Sequence, residues 1–217
     1  MTRILLLGAT GRTGSSVLRQ LSENKHIQVT AAIRDISDFS KFSKTKRPFH
    51  TKIVDIDSTF SLRNATSQAD IIVHAIRLRG NIPPLALVSL DKRIRESIGD
   101  MEGRLIITVG GAGSLHTLYG RRFCQDPNFP KRTLPRGIAH AKLRDYLEKL
   151  PQASWTYLIP PPAYIPNGRR VGTYKRWEAP NDEMAFLKKS ISYEDFATAV
   201  CHAVLEQWTG THLIAGR

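Results

Sequence analysis

Two cysteines in 217 residues rule out a scaffold built on disulfides. Cys124 and Cys201 share no metal-ligand spacing, so reduced thiols in a cytosolic setting are expected. Cys201 lies in an apolar helical stretch and reads as core. No apolar run approaches the length needed to cross a membrane. The run after Met1-Thr2-Arg3 is only Ile4–Leu7, too short for the apolar part of a signal peptide. A cytoplasmic protein without membrane contact is expected. Acidic residues are also scarce: 19 Asp plus Glu face 32 Lys plus Arg, a net charge of +13. Such a surface attracts phosphorylated small molecules, nucleic acid or anionic lipid. The basic peaks fall at 41–52, 77–79 and 169–176. No zinc-finger, helix-turn-helix or RNA-binding aromatic motif accompanies them, so nucleic acid is not an expected partner. Repeats, low-complexity tracts and linkers are absent too, and one domain spanning 1–217 is expected.

What is present is an alternation of short apolar runs with helical patterns. Strands are expected at 4–7, 28–33, 52–54, 71–76, 104–109 and 155–159, with a possible last one at 211–215. Helices are expected at 13–24, 60–69, 87–98, 137–150 and 194–207. Segment 115–135 reads as a loop, and 160–190 as an irregular excursion over the substrate side. This order predicts an α/β fold: a Rossmann-like, doubly wound parallel sheet with helices on both faces. Ligands of such sheets bind beyond the carboxyl ends of the strands.

The sharpest motif is Gly8-Ala9-Thr10-Gly11-Arg12-Thr13-Gly14, directly after the first strand. Gly8 permits a tight exit, Gly11 lets backbone approach phosphates, and Gly14 lets the helix pack close to the sheet. Free N–H groups at the helix start then face an anion. A dinucleotide pyrophosphate is the expected ligand, held by Gly8, Thr10, Gly11, Arg12, Thr13 and Gly14. Arg34 follows the second strand, where an acidic side chain would bind a ribose 2′-hydroxyl. An arginine there pairs instead with a 2′-phosphate, and Arg12 can close on the same group. The pair predicts NADP(H) over NAD(H). Its bland counterpart is a surface Arg34 paired with Asp35. Asp55 and Ile56 end the third strand where adenine is expected, although Asp55 also suits a capping role. Ala75 and Ile76 end the fourth strand beside the ribose. His74 reads as a packed core histidine.

A family resemblance rests on several stretches in order. They are the glycine turn, Ile33-Arg34-Asp35, Val109-Gly110-Gly111-Ala112-Gly113-Ser114-Leu115 and Asp126-Pro127-Asn128-Phe129-Pro130. Trp155-Thr156-Tyr157-Leu158 and Ile191-Ser192-Tyr193-Glu194-Asp195-Phe196-Ala197 complete the set. Together the chain resembles the atypical short-chain dehydrogenases grouped as NAD(P)-binding NADH-flavin reductases. More distantly it is similar to type B biliverdin reductase/flavin reductase and to NmrA-like regulators. The resemblance implies NAD(P)H held by the glycine turn and Arg34, with hydride passed to a flavin or quinone-like acceptor. One departure matters. Carbonyl-reducing relatives use a tyrosine four residues before a lysine, and here Ile138 stands four residues before Lys142. Flavin reduction needs less, because solvent can supply the proton and orientation carries the catalysis.

Candidate residues for chemistry are Ser114, in the glycine-rich loop after the fifth strand, Tyr119 and His140. Ser114 is equally a turn-capping serine. Tyr119 and Phe123 can wall a planar ring or simply pack their loop. His140 is a weak proton donor near neutral pH or an exposed helix histidine. Pro161, Pro162 and Tyr164 border the nicotinamide end, and Ser192 reads as a helix cap over Asp195. Two functions follow from these residues: an NADPH-dependent reductase of a planar acceptor, or a non-catalytic NADP(H) sensor of the NmrA-like type.

Overall fold

A computed structural model describes residues 1–178 and 183–216. The chain runs β1 (Thr2–Leu7), α1 (Arg12–Leu21), β2 (Ile27–Ile33), β3 (His50–Ile53), α2 (Thr59–Thr66) and β4 (Ile71–His74). It continues with α3 (Ala86–Ile98), β5 (Leu105–Val109), α4 (Leu134–Leu147), β6 (Trp155–Ile159), β7 (Ala163–Ile165) and β8 (Tyr174–Glu178). The last elements are α5 (Glu183–Phe186), β9 (Ser190–Ser192), α6 (Tyr193–Leu205) and β10 (Gly210–Gly216).

Eight strands form one sheet in the order β3-β2-β1-β4-β5-β6-β10-β8. All neighbours are parallel except the edge strand β8, which runs antiparallel to β10. Chain direction across the sheet reverses at β1, whose Ile4 pairs with Val29 on one side and Ile71 on the other. That reversal opens a crevice at the carboxyl ends of β1 and β4.

Strand alternation sorts the core into two layers. Ile4, Leu6, Val73 and Ile107 meet Val17, Leu18 and Leu21 of α1 and Phe196, Val200 and Val204 of α6. On the other face Leu5, Leu7 and Ile72 meet Leu62, Leu90 and Ile94 of α2 and α3. Farther along, Trp155, Tyr157 and Ile159 meet Leu143 and Leu147 of α4. Sheet strands buried on both sides explain the near-continuous apolar runs. Cys201 is a core residue, as expected, and burial pushes both cysteine thiols up, leaving them poor nucleophiles.

The largest departure from the sequence reading is 160–190. It holds β7, β8 and α5 rather than wholly irregular chain. Tyr174-Lys175-Arg176-Trp177 puts one ring and one cation on each face of a strand, and the cations lie over rings: Lys175 over Trp177 at 4.7 Å and Arg176 over Trp208 at 4.2 Å. Its charge hid a period-two strand suited to a sheet edge. Helix α4 begins three residues earlier than expected, because Pro135 fits a first helical turn. The fourth strand stops at His74, leaving Ala75 and Ile76 in the exit turn.

Candidate functional site at the carboxyl edge of the sheet

The glycine turn is built as its sequence demands. Gly8 has φ +83°, and a Cβ there would sit 2.6 Å from the Ala75 carbonyl oxygen. A Cβ on Gly14 would stand 2.1 Å from the Gly8 oxygen, so α1 starts against the strand exit. A Cβ on Gly11 would be 3.1 Å from the same oxygen, and the Gly11 N–H donates to it at 2.9 Å. Gly11 caps α1 with no side-chain acceptor, and the first turn carries no acidic residue. The helix start therefore presents N–H groups without a competing carboxylate, the condition for receiving a phosphate.

The surrounding residues divide. Arg12 is exposed beside the turn and Thr10 is half-buried. Thr13 is buried, and its hydroxyl bonds the Tyr164 hydroxyl at 2.7 Å. That side chain anchors the loop after β6, leaving the Thr13 backbone for a ligand. Tyr164 also stacks on Tyr193, with ring centroids 3.8 Å apart. Burial raises its hydroxyl pKa well above the ordinary value, so it stays a phenol. Pro161 is buried at the base of the same loop, whereas Pro162 is exposed.

Arg34 leaves the end of β2 with its side chain 82% exposed. Its partner is Asp38, not Asp35: Nε lies 3.8 Å from Asp38 Oδ2, and the Arg34 N–H donates there at 3.1 Å. Asp35 instead accepts from the Ser37 N–H. So loose an ion pair leaves the guanidinium available to an incoming anion. The Asp55 carboxylate accepts from the Asp57 N–H at 2.9 Å, so it caps its own turn, the structural alternative raised above. Ile56 is half-buried against the core behind it. Ala75 abuts Gly8, and Ile76 is half-buried beside it.

A second group gathers beyond β5. Ser114 is fully buried and donates to the Gly111 carbonyl at 2.7 Å. The Tyr157 hydroxyl, from β6, lies 3.3 Å from Ser114 Oγ and 3.1 Å from His140 Nδ1. The His140 ring lies against Gly111, where a Cβ would come within 2.6 Å of its Cδ2. Burial, with His74 and Arg136 nearby, pushes the His140 pKa down to about 3. That corrects the expectation of a proton donor titrating near neutrality: the ring is neutral at pH 7, and packed rather than free on the helix surface. Burial likewise lifts the Tyr157 hydroxyl to about 12. His74 is a core histidine as expected, with neither ring nitrogen hydrogen-bonded among the described residues and a pKa pushed down to about 4 by burial.

Sequence reading missed the scaffold behind this corner. Arg144 and Glu183 form a fork-on-fork pair at 2.7 and 2.9 Å, both almost fully buried. Arg144 and Arg122 each donate to the Ser114 carbonyl, at 3.0 and 2.8 Å. Burial raises the Glu183 carboxyl, but the Arg144 bonds and charge outweigh it and the net pKa is lowered. An arginine on the inward side of α4 was the one available signal; nothing in the sequence marks a partner 39 residues away. Phe123 packs edge-on against Phe129 instead of forming an open wall, and Lys142 is exposed on α4. The Tyr119 side chain lies outside the described residues. Ser192 caps α6 as expected, accepting from the Asp195 N–H at 3.0 Å.

Comparison with known proteins gives the family and the fold. YwnB of Bacillus subtilis (strain 168), an uncharacterized protein, is 29% identical over 203 residues, 91% of this chain and 90% of its own. A putative NADH-flavin reductase from Streptococcus pneumoniae superposes with TM-score 0.78 at 20% identity over the whole of both chains. A putative epimerase from Bacteroides thetaiotaomicron gives TM-score 0.80 at 23% identity, over 99% of this chain and 97% of its own. At those identities the two structures establish the shared fold alone. Residues 8–207 match the model of the NAD(P)H-binding family. The chain belongs to that NAD(P)H-binding family.

Proposed function

We propose that the protein is an NADPH-dependent oxidoreductase that passes hydride to a planar acceptor such as a flavin or quinone. The observation that carries the reading is the pairing of two sites along the carboxyl edge of one sheet. An uncapped helix start in a glycine turn lies at one end, and a buried Ser114–Tyr157–His140 hydrogen-bond chain lies at the other. The glycines fit the dinucleotide, since each Cβ they lack would intrude on the turn. Backbone N–H groups of Arg12, Thr13 and Gly14 hold the diphosphate, with Arg34 and Arg12 on the 2′-phosphate. Ile56, Ala75, Ile76 and Pro161 line the remaining length. The bound nicotinamide supplies the hydride.

The protein supplies position and a neutral donor. Tyr157 remains protonated, and its nearest acceptor is His140 Nδ1 at 3.1 Å. When the single Tyr157 proton lies on that bond rather than on the one to Ser114 Oγ, the imidazole proton sits on Nε2, a neutral N–H beside Gly111. Such a donor stabilises negative charge growing on an acceptor without delivering a full proton. Water completes the protonation. Ser114 keeps the Gly111 loop in register, so its role is to hold the donor in place. Localisation in the cytoplasm and action on small molecules rather than nucleic acid complete the proposal.

NADPH oxidation measured with FMN, FAD, riboflavin and quinones tests it, beside calorimetry with NADPH and NADH. Turnover of at least one acceptor is expected, with NADPH preferred and the preference lost in Arg34→Glu. Tight NADPH binding with no turnover of any acceptor would replace this reading by the NADP(H) sensor. A twofold preference or less for NADPH that survives Arg34→Glu would end the 2′-phosphate assignment.

A further inference from the structure

Hydride reaches a flat acceptor through one face of its ring, which leaves the other face for the protein to cover. Phe123, a ring expected to form such a wall, packs edge-on into its own loop. The pair Tyr164–Tyr193 has the geometry that Phe123 lacks. Its ring centroids stand 3.8 Å apart, with 22° between the planes. The other ring contacts among the described residues are tilted or edge-on, so only here does one ring rest flat on another.

The pair sits at the carboxyl edge of the sheet. The Tyr164 hydroxyl bonds Thr13, in the first turn of α1, at 2.7 Å. Strand β7 runs parallel to β9, with Tyr164 opposite Ile191 and Ile165 opposite Ser192, and Tyr193 follows directly. Strand β9 in turn crosses the end of β10, where a Cβ on Gly216 would stand 2.9 Å from the Ser190 carbonyl oxygen.

The pair is also held in place from both sides. Tyr164 packs on Phe196, centroids 5.2 Å apart, and on the core beneath α1 and α6. Next to Tyr193, Ser192 caps α6, and Glu194 accepts from Ser16 Oγ of α1 at 2.7 Å and from Arg19. Asp195 accepts from the Val171 and Gly172 N–H groups at 2.9 and 2.8 Å. Tyr193 itself takes no part in this bonding. Its side chain is half-buried, its ring contacts no aromatic ring but Tyr164, and its hydroxyl has no hydrogen-bond partner among the described residues. An aromatic face fixed before binding is what a planar ring stacks on.

We infer that Tyr193, backed by Tyr164, is the stacking plate for the acceptor and selects flat conjugated rings. The inference rests on the reductase reading for the word acceptor, whereas stacking is a matter of binding and is measured without turnover.

The decisive measurement is riboflavin fluorescence titrated with the NADP⁺-loaded protein, because a tyrosine stacked on an isoalloxazine quenches its emission. NADPH oxidation and calorimetry with NADPH run in parallel. Tyr193→Leu is expected to bind riboflavin about tenfold more weakly and to quench it less, with little change in NADPH affinity. Tyr193→Phe keeps the ring and should hold riboflavin within about twofold of the unaltered protein. A thermal melt verifies both folds. Tyr193→Trp widens the plate and should bind riboflavin more tightly, a direction that misfolding cannot imitate. Unquenched riboflavin with the unaltered protein overturns the plate. So does unchanged riboflavin affinity in Tyr193→Leu, or equal or weaker affinity in Tyr193→Trp. Parallel losses of NADPH and riboflavin affinity in Tyr193→Leu would assign the ring to the cofactor and overturn it as well. Tyr193-dependent riboflavin binding without NADPH oxidation would keep the plate and remove the reductase. Oxidation with an acceptor KM indifferent to Tyr193→Leu would do the reverse.

Discussion

The two ends of the crevice are made differently. At the phosphate end the work is done by backbone from a single stretch, Gly8 to Gly14, and the side chains that matter are the ones missing. At the acceptor end it is done by side chains from separate segments: Ser114 after β5, His140 on α4 and Tyr157 on β6. Backbone chemistry is the same in every chain, so under the proposed function the first end is a general diphosphate seat. Side-chain chemistry is particular, so the second end is where relatives of one fold diverge.

The comparison breaks most visibly at Gly14. A methyl group there would stand 2.1 Å from the Gly8 oxygen, and neither backbone can retreat cheaply. Gly14→Ala is expected to weaken NADPH binding by at least about a hundredfold, and to destabilise the fold by about 2–3 kcal/mol through overpacking. Calorimetry and a thermal melt report the two effects separately. Gly111→Ala is its counterpart at the other end. Its Cβ meets a side chain, His140, so NADPH affinity should persist while turnover falls. A Gly14→Ala protein that binds NADPH normally would remove the glycine turn from the site.

The same division explains what could be read from the sequence. The sheet, its helices and the phosphate end were legible because their signals are local. Apolar runs such as Ile71–Val73 mark buried strands, and three glycines within seven residues mark one turn. The acceptor end depends on contacts 17 to 43 residues apart, such as Tyr157 with His140 and with Ser114. Tyr157 read as one more apolar strand residue, and only its neighbours make it a donor. His140 was placed correctly on its helix, but its neutrality comes from burial, which no local pattern encodes. Strand β8 was hidden by the opposite problem, since its local charge resembled loop.

Behind the acceptor end stands the Arg144–Glu183 pair, which also holds the Ser114 carbonyl. Removing one charge strands the other in the core. Glu183→Gln is expected to lose about 3–5 kcal/mol of stability in urea unfolding. The wild-type contribution follows pH in a defined direction. Glu183 has a lowered pKa in the fold, so its stabilisation is complete above the unfolded carboxyl value and is lost as pH falls through the folded one. A change below about 1 kcal/mol would mean that the pair holds nothing in place.

His74 and His140 act in a higher pH window. Both rings take up a proton near 6.5 when unfolded, but His74 resists it down to about 4 and His140 to about 3. Between these values the unfolded chain binds more protons, so stability rises with pH there. It is complete above about 6.5 and declines as pH drops toward 4. For His74 the decline is on the order of 3 kcal/mol. His74→Leu should flatten this slope in urea titrations between pH 7 and 4. Because neither His74 nitrogen is hydrogen-bonded among the described residues, the variant should hold or raise neutral-pH stability. An unaltered slope would place the titration elsewhere.

The smallest effect expected is also the most specific. Tyr157→Phe removes one hydroxyl from a fully buried ring and leaves its packing intact. His140 Nδ1 then loses its donor, and the ring proton is free to reside on either nitrogen. If the neutral Nε2–H supports charge developing on the acceptor, kcat falls about tenfold, which is about 1.4 kcal/mol of transition-state stabilisation. KM for the acceptor and the affinity for NADPH should hardly move, since the hydroxyl reaches Ser114 and His140 and no part of the glycine turn. Across pH 5 to 9 kcat should stay flat in both proteins, because neither His140 nor Tyr157 titrates in that range. A bell centred near neutrality would instead mark a group outside this chain of bonds as the acid. A rise in the NADPH dissociation constant would show that the two ends are not separable, and the division between backbone and side-chain chemistry would have to be redrawn around β6.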